Sequence, residues 1–426
     1  MSEELLSRRQ FIRTSLAAVG SAMAEWKMPE TIRGKNLYKL DRVNYEVKLE
    51  AIHSGFDGVK CWVHARAGAI PASVSGSMPI VVLTMQKLLL SASDVFYALN
   101  EMRTDDLGGT WSAPEEHSTL GRRSQPDGVE VCICDFTPKW HAATGKLLGT
   151  GHLAHYIGDS LMPGLRPRRT AYSVYDPETR TWTPWDALEM PDPEKFFSAG
   201  AGCTQRVDLQ DGTILLPVYF RERTDESSRN SKTTIVRCSF DGSKLRYVEH
   251  GDELTVEQPR GLGEPSLTFY DGRYFLTMRN DERGYVTTGS DGLHFEPHRP
   301  WTFDDGTELG NYNTQQHWFT HSDALFLVYT RRGGNNDHVF RHRAPLFIAQ
   351  VDPERLCVMR ETERILVPER GARLGNFGVV DVDEKQTWVT VTEWMQPIGC
   401  EKYGSDNSVF VAKILWERPN LNAFKY

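Results

Sequence analysis

Six times along the 426-residue chain one unit recurs, and that recurrence constrains the fold more than any other feature. "SMPIVVLTMQ" (77–86), "GKLLGTGHLAHY" (145–156), "DGTILLPVYF" (211–220), "DGRYFLTMRN" (271–280), "DALFLVYTRR" (323–332) and "KQTWVTVTEW" (385–394) each read as a central β-strand, starting 50 to 70 residues apart. The runs are rich in β-branched and aromatic residues and bounded by turn residues. Each follows a segment of one kind: "RAGAIPAS", "DFTPKWHA", "GAGCTQRVDL", "GEPSLTFY", "YNTQQHWFT" and "GNFGVVDV". In the first five units a turn built on aspartate closes the third strand: Asp106, Asp176, Asp241, Asp291 and Asp352. A unit of four strands cannot bury both faces alone, so six of them predict an all-β, six-bladed β-propeller. It would form one domain over 36–426 with no internal linker. The sixth unit stops at "SVFVAKILW" without an outer strand, and the spare run "NLYKLDRVNYEVKLEA" (36–51) is expected to supply it and close the ring.

Composition sets the partners. The formal charge is −8 and no basic tract stands out, so nucleic acid is not expected and a small polar ligand is. No run is long and apolar enough to predict a membrane span. At the N-terminus, Ser7-Arg8-Arg9-x-Phe11, a weakly apolar stretch and Ala22-Met23-Ala24 read as a twin-arginine export signal with its leader over 1–35, which predicts a periplasmic or secreted protein. The seven cysteines include no C-x-x-C pair, so neither a zinc site nor a disulfide framework is expected. His141 and His152 stand eleven residues apart, and His317 and His321 share one face of a strand; neither pair has a helical metal spacing, and no metal or cofactor is predicted.

Residues at the mouths of inner strands converge on a propeller axis, and this chain loads those positions with polar groups. The second unit offers His141, His152 and His155, and the third ends in Tyr219 and Arg221. The fifth holds Asn313, Gln315, Gln316 and His317, then Arg331 and Arg332, then His338 and His342 in "RRGGNNDHVFRHR". That loop has one acid among several arginines and two histidines, which predicts an anion-binding wall in a net acidic protein. The sixth unit ends in Glu393.

Thr104-x-Asp106-x-Gly108-x-Thr110-Trp111 resembles the Asp-box (BNR repeat) of the sialidase superfamily, with degenerate copies in "SDGLHF" (290–295) and "SFDGSKL" (239–245). "RAGAIP" (66–71) is similar to the Arg-Ile-Pro segment of those enzymes, and "GEPSLTFYDGRYFLTMRN" (263–280) to their Glu-Pro, Asp-Gly, Arg-Asn blade. The resemblance, over roughly 50–416, implies that Arg66, Arg279 and Arg343 grip a substrate carboxylate through the guanidinium fork. It implies Glu264 and Asp94 as catalytic acids or bases, with Glu393 a further candidate. The departure lies in "GNFGVV" (375–380), where Asn376-Phe377 stands in place of the family's nucleophilic tyrosine. Phenylalanine cannot attack an anomeric carbon, so a poor sialidase is expected. Tyr219 and Tyr403 are the nearest other phenols. His141 and His152 also resemble the bases of propeller-fold polysaccharide lyases, which act on uronates.

These readings predict an exported glycan-active enzyme resembling exo-sialidases, which cleaves a glycosidic bond of an acidic oligosaccharide or polysaccharide. A His-assisted lyase and a non-catalytic carbohydrate-binding propeller are the alternatives. The candidate catalytic residues are Glu264, Asp94, His141, His152 and Glu393. The candidate binding residues are Arg66, Arg279, Arg343, Arg331, Tyr219, Asn313, Gln316, His317 and His342.

Overall fold

The computed structural model describes residues 42–224 and 230–424. The export signal expected over 1–35, with Arg8 and Arg9, lies outside the described residues. The described strands form a β-propeller of antiparallel sheets, six by their hydrogen bonding. The first sheet runs Lys60–Ile70, Ile80–Leu89, Phe96–Thr104 and Glu115–Glu116. The second is built on Glu130–His141, Lys146–Ile157 and Thr170–Asp176. The third takes Ser198–Gly200 and Val207–Asp208, then Thr213–Arg221, Lys232–Phe240 and Leu245–His250. The fourth takes Gly263–Tyr270, Arg273–Arg279, Tyr285–Gly289 and Arg299–Pro300. The fifth takes His317–His321, Ala324–Tyr329, Leu346–Asp352 and Cys357–Val358.

The sixth sheet, Gly378–Asp383, Gln386–Thr392 and Val409–Trp416, is completed by Tyr45–His53 from the other end of the chain. Tyr45 pairs with Trp416 and Lys48 with Lys413, antiparallel. Val47 and Leu49 pack against the apolar cluster shared by the fifth and sixth sheets. Each sheet touches the next, and the sixth touches the first, so the sheets close into a ring. Apolar clusters fill the space between successive sheets, for example Leu148, Val174, Leu216 and Val236 between the second and third.

The aspartate turns stand where the sequence puts them. In each of four, one carboxylate oxygen accepts the backbone N–H of the second and third residues onward: Asp176 from Glu178 and Thr179, Asp241 from Ser243 and Lys244, Asp291 from Leu293 and His294, Asp352 from Glu354 and Arg355. Asp106 binds the Thr110 N–H (2.9 Å) and the hydroxyls of Thr104 and Thr110 (2.8 Å each), with Gly108 at φ 81°.

Candidate functional site

The innermost strands do not start straight. His64, Asp135 and Glu264 have φ of 59°, 52° and 43°, and each sits where the pairing register of its strand slips: between Val63 and Arg66, Cys134 and Thr137, Gly263 and Ser266. These are β-bulges, which turn one side chain out of the ladder and aim it elsewhere. Cys203 (φ 58°) and Asn313 (φ 62°) hold the corresponding places in "GCTQ" and "YNTQ". Left-handed backbone at non-glycine residues costs about 1 kcal/mol or more, and its repetition around one axis marks a built site.

Three of these side chains, His64, Asp135 and Glu264, meet a cleft of about 1100 Å³ at this end of the ring. Asp135 is the hub. Its Oδ1 accepts from Cys203 Sγ (2.8 Å) and lies 3.2 Å from His64 Nε2 and 3.5 Å from Arg66 Nη2; its Oδ2 lies 3.8 Å from His152 Nδ1. Burial pushes the Asp135 carboxyl up, but His64, Arg66 and His152 together outweigh it and hold the carboxyl below the usual range. Burial takes His64 down to about 4 despite Asp135, and burial with Arg168 takes His152 down to about 3, so both imidazoles are neutral near pH 7. Tyr219 sits 6.4 Å from His152 ring to ring, with the Arg168 guanidinium 5.0 Å over its face; burial raises its phenol, which stays protonated.

Cys134, Asp135 and His152 are a group whose ligand atoms fit within 4.8 Å. The buried Arg66 guanidinium, 3.5 Å from Asp135, already supplies positive charge there and opposes a cation.

The walls are cationic. Arg166 donates to the Met162 carbonyl (2.8 Å) and Arg373 to Gln396 Oε1 (3.0 Å). Arg343 is held by the Asn313 carbonyl, by Asn313 Oδ1 (2.9 Å) and by Asn376 Oδ1 (3.4 Å). Arg168 and Arg341 lie against aromatic rings. Every one of these partners is neutral, and none of the five arginines forms an ion pair among the described residues. The Nε atoms of Arg343 and Arg373 are buried without a partner. Burial, then Arg279, lowers Arg343 well below its ordinary value, and burial lowers Arg373 to about 10. By contrast Arg279 is neutralised: it pairs with Glu264 and, at 3.1 Å, with Asp281, and although burial opposes its charge these carboxylates raise it.

Solved structures share this architecture. Trypanosoma rangeli sialidase, in complex with the inhibitor DANA, superposes with a TM-score of 0.55 at 13% identity, over 84% of this chain and 55% of that chain. The Hadza microbial sialidase Hz136 does so with 0.55 at 14% identity, over 84% and 66%. Phage phi92 endosialidase gives 0.55 at 11% identity, over 90% and 71%. The fold is that of the sialidases. The chain spans just over half the length of the trypanosomal enzyme and about two thirds of the Hadza one. No protein-family model matches the chain, and no curated protein sequence matches it.

Of the residues read from sequence, Glu264, Asp94, His152, His155, Arg221, Arg279, Arg343 and Tyr219 line the cleft. Others do not. His141 lies beyond the bulge, at the far end of its strand, where it borders a second cavity of about 510 Å³; Thr144 Oγ1 (2.8 Å) and the Gly212 carbonyl (3.1 Å) occupy its nitrogens. Glu393 is buried under a bidentate Arg370 (2.8 Å twice) and the N–H groups of Asp406 and Ser408, an architectural lock. Arg331 is spent on Glu363 (2.6 and 2.8 Å), away from the cleft. Arg66 is fully buried beneath the floor, bound to Cys203, Gln315 Oε1 and the Phe377 carbonyl, so it orders the floor in place of an open clamp. Asn313 supports Arg343 from behind. Gln316 is bonded to Thr277 and the Thr314 carbonyl, and His317 to Ser266 (2.6 Å), all in the interior. His342 is taken by Tyr312 (2.6 Å) and Asp337.

At the position where the resemblance implies a phenol, Asn376 faces the cleft between Arg343 and Cys203 Sγ (3.7 Å), and Phe377 is wholly buried against His317. Tyr403 is exposed and lies against the His338 ring, not at the cleft. Sequence reasoning passed over His64, Asp135, Arg168 and Arg373. The recurring dipeptides "VH", "CD", "GC" and "GE" two residues before a polar strand position were the available signal for the bulge residues.

Proposed function

We propose that this protein is a glycan-active enzyme that binds an acidic saccharide in the arginine-walled cleft and cleaves a glycosidic bond there, its six sheets serving as the six blades of a sialidase-like propeller. The observation that carries this is the set of five cleft arginines held only by neutral partners. Arg343 and Arg373 are buried with no carboxylate bonded to them, which costs stability, and an anionic ligand offsets that cost. In this reading Arg343 grips a carboxylate, Glu264 and Asp94 supply acid and base for hydrolysis, and export through the Arg8-Arg9 signal brings the enzyme to its polymer.

The pairing of a neutral His152 with a protonated Tyr219 beside Arg168 favours a second route, β-elimination on a uronate. Arg168 neutralises the carboxylate, the imidazole takes the proton α to it, the C–O bond at the β position breaks as the ring double bond forms, and the phenol gives its proton to the leaving oxygen. Incubation with a panel of uronate-containing and sialylated oligosaccharides tests both. New reducing ends without ultraviolet absorbance support hydrolysis, and absorbance from an unsaturated uronate supports elimination. Binding without product reduces the protein to a carbohydrate-binding propeller. On a fluorogenic sialoside, turnover is expected to be poor because Asn376-Phe377 offers no nucleophile.

A further inference from the structure

The unpaired arginines are not spread evenly. Arg166 and Arg168 belong to the segment that enters the third strand of the second sheet, and Arg341 and Arg343 to the one that enters the third strand of the fifth. On the six-blade reading these stand opposite one another. Arg373, from the connection between the fifth and sixth sheets, joins the second group: Arg343 and Arg373 both lie close enough to Arg341 to feel its charge. Of the cleft carboxylates, Asp94 comes from the first sheet, Asp135 from the second, and Glu264 and Asp281 from the fourth. On that reading the cleft carries two groups of arginines on opposite sheets, the first with Asp135 beside it, and Asp94 and Glu264 on the sheets between.

A single carboxylate answers one wall and leaves the other unmet. We propose that the ligand bears at least two anionic groups, one for each wall, so that the cleft spans consecutive acidic residues of a polyanionic saccharide and not a single terminal acidic sugar. The inference rests on the reading of the cleft as an acidic-glycan site and narrows its substrate class. Two further observations agree. A volume of about 1100 Å³ exceeds the range of roughly 300–1000 Å³ that suits one drug-sized ligand. Phe340, 44% exposed beside the Arg341 wall, adds an apolar surface next to those charges, with Arg341 and Arg373 lying over its ring. A chain that engages both walls is cut internally, giving oligosaccharide products before monosaccharides.

The test is calorimetric titration with four probes: a single uronic acid, sialyllactose, an unsulfated uronate tetrasaccharide and a sulfated chondroitin tetrasaccharide. Arg166→Gln and Arg341→Gln probe one wall each; both side chains reach solvent, and a melting curve checks that each variant folds. At least one tetrasaccharide is expected to bind tenfold or more tighter than either single-anion probe, with each variant weakening it about tenfold and the double variant more. Equal affinity for single-anion and polyanionic probes, or sensitivity to one wall alone, overturns the two-wall inference and leaves the acidic-glycan reading standing. Failure of all four probes to bind overturns both.

Discussion

Arg343 and Arg279 face the same cleft in opposite electrostatic states, and substitution separates affinity from stability. Arg343 is a buried guanidinium whose hydrogen-bond partners are amides and a carbonyl. Arg343→Gln is expected to weaken an acidic saccharide by about a hundredfold while leaving the melting temperature unchanged or higher, because an uncompensated charge leaves the interior. Arg279→Gln strands Glu264 and Asp281 against each other and is expected to cost about 3 kcal/mol or more of stability as well as affinity. Matched melting curves and titrations on the two variants check this; an equal loss of stability in both would refute it. The histidines set a pH dependence with a defined sign. In the unfolded chain they titrate near 6.5, whereas folded His64 does so at about 4 and His152 at about 3. Between pH 6.5 and 4 the unfolded state therefore takes up protons that the folded state refuses. Stability falls as pH falls, by up to about 1.4 kcal/mol per pH unit for each histidine. Asp135, held low, contributes stability above the unfolded carboxyl value and loses it only at still lower pH. The drop in melting temperature from pH 7 to 5 is expected to be smaller in His152→Gln than in the parent; equal drops would show that His152 is not the group held neutral.

The closing strand is where the propeller is most exposed to loss. Tyr45–His53 covers Val409–Trp416, which would otherwise present an unpaired edge, and its Val47 and Leu49 seal the cluster below. Deleting 42–53 is expected to lower the melting temperature by about 5 °C or more and to raise light scattering as the bared edge self-associates; an unaltered melting curve would make the closure dispensable. This strand, the sheet order and the aspartate turns were legible in the sequence, because alternation, turn chemistry and a spare strand are local signals. The bulges were not. "VHAR" and "CDFT" read as uninterrupted strand, and only the slip in register shows that His64 and Asp135 turn to the axis. The same blindness put His141 and His152 together, since both belong to one hairpin. The strands run from one mouth of the ring toward the other, which sends His141 to the far cavity. Arg66 and Glu393 misled for another reason: sequence shows that a charge is present, but not that Gln315, Cys203 or Arg370 already holds it.

At the scale of the whole molecule, a chain of net charge −8 places five arginines without an ion pair, among the described residues, around one cleft. The two signs act at different distances. An acidic glycan far from the surface meets a repelling net charge, while one at the cleft mouth meets a concentrated positive field in low-dielectric walls, which focus it. Salt shortens the reach of both, with a screening length of about 10 Å at 0.1 M and about 3 Å at 1 M. Beyond about 0.1 M the distant repulsion is already screened, and further salt removes mainly the attraction at the mouth. The association rate of a uronate tetrasaccharide is therefore expected to change little between low salt and 0.1 M, then to fall by about tenfold or more toward 1 M, while the rate for an uncharged tetrasaccharide stays level. Arg166→Gln together with Arg341→Gln is expected to flatten that fall without altering the uncharged control. Stopped-flow binding followed by intrinsic tryptophan emission reads the rate directly, because Trp394 borders the cleft beneath Arg373. A uronate rate that rises with salt throughout would mean that the protein's net charge, and not the cleft, governs how the ligand arrives.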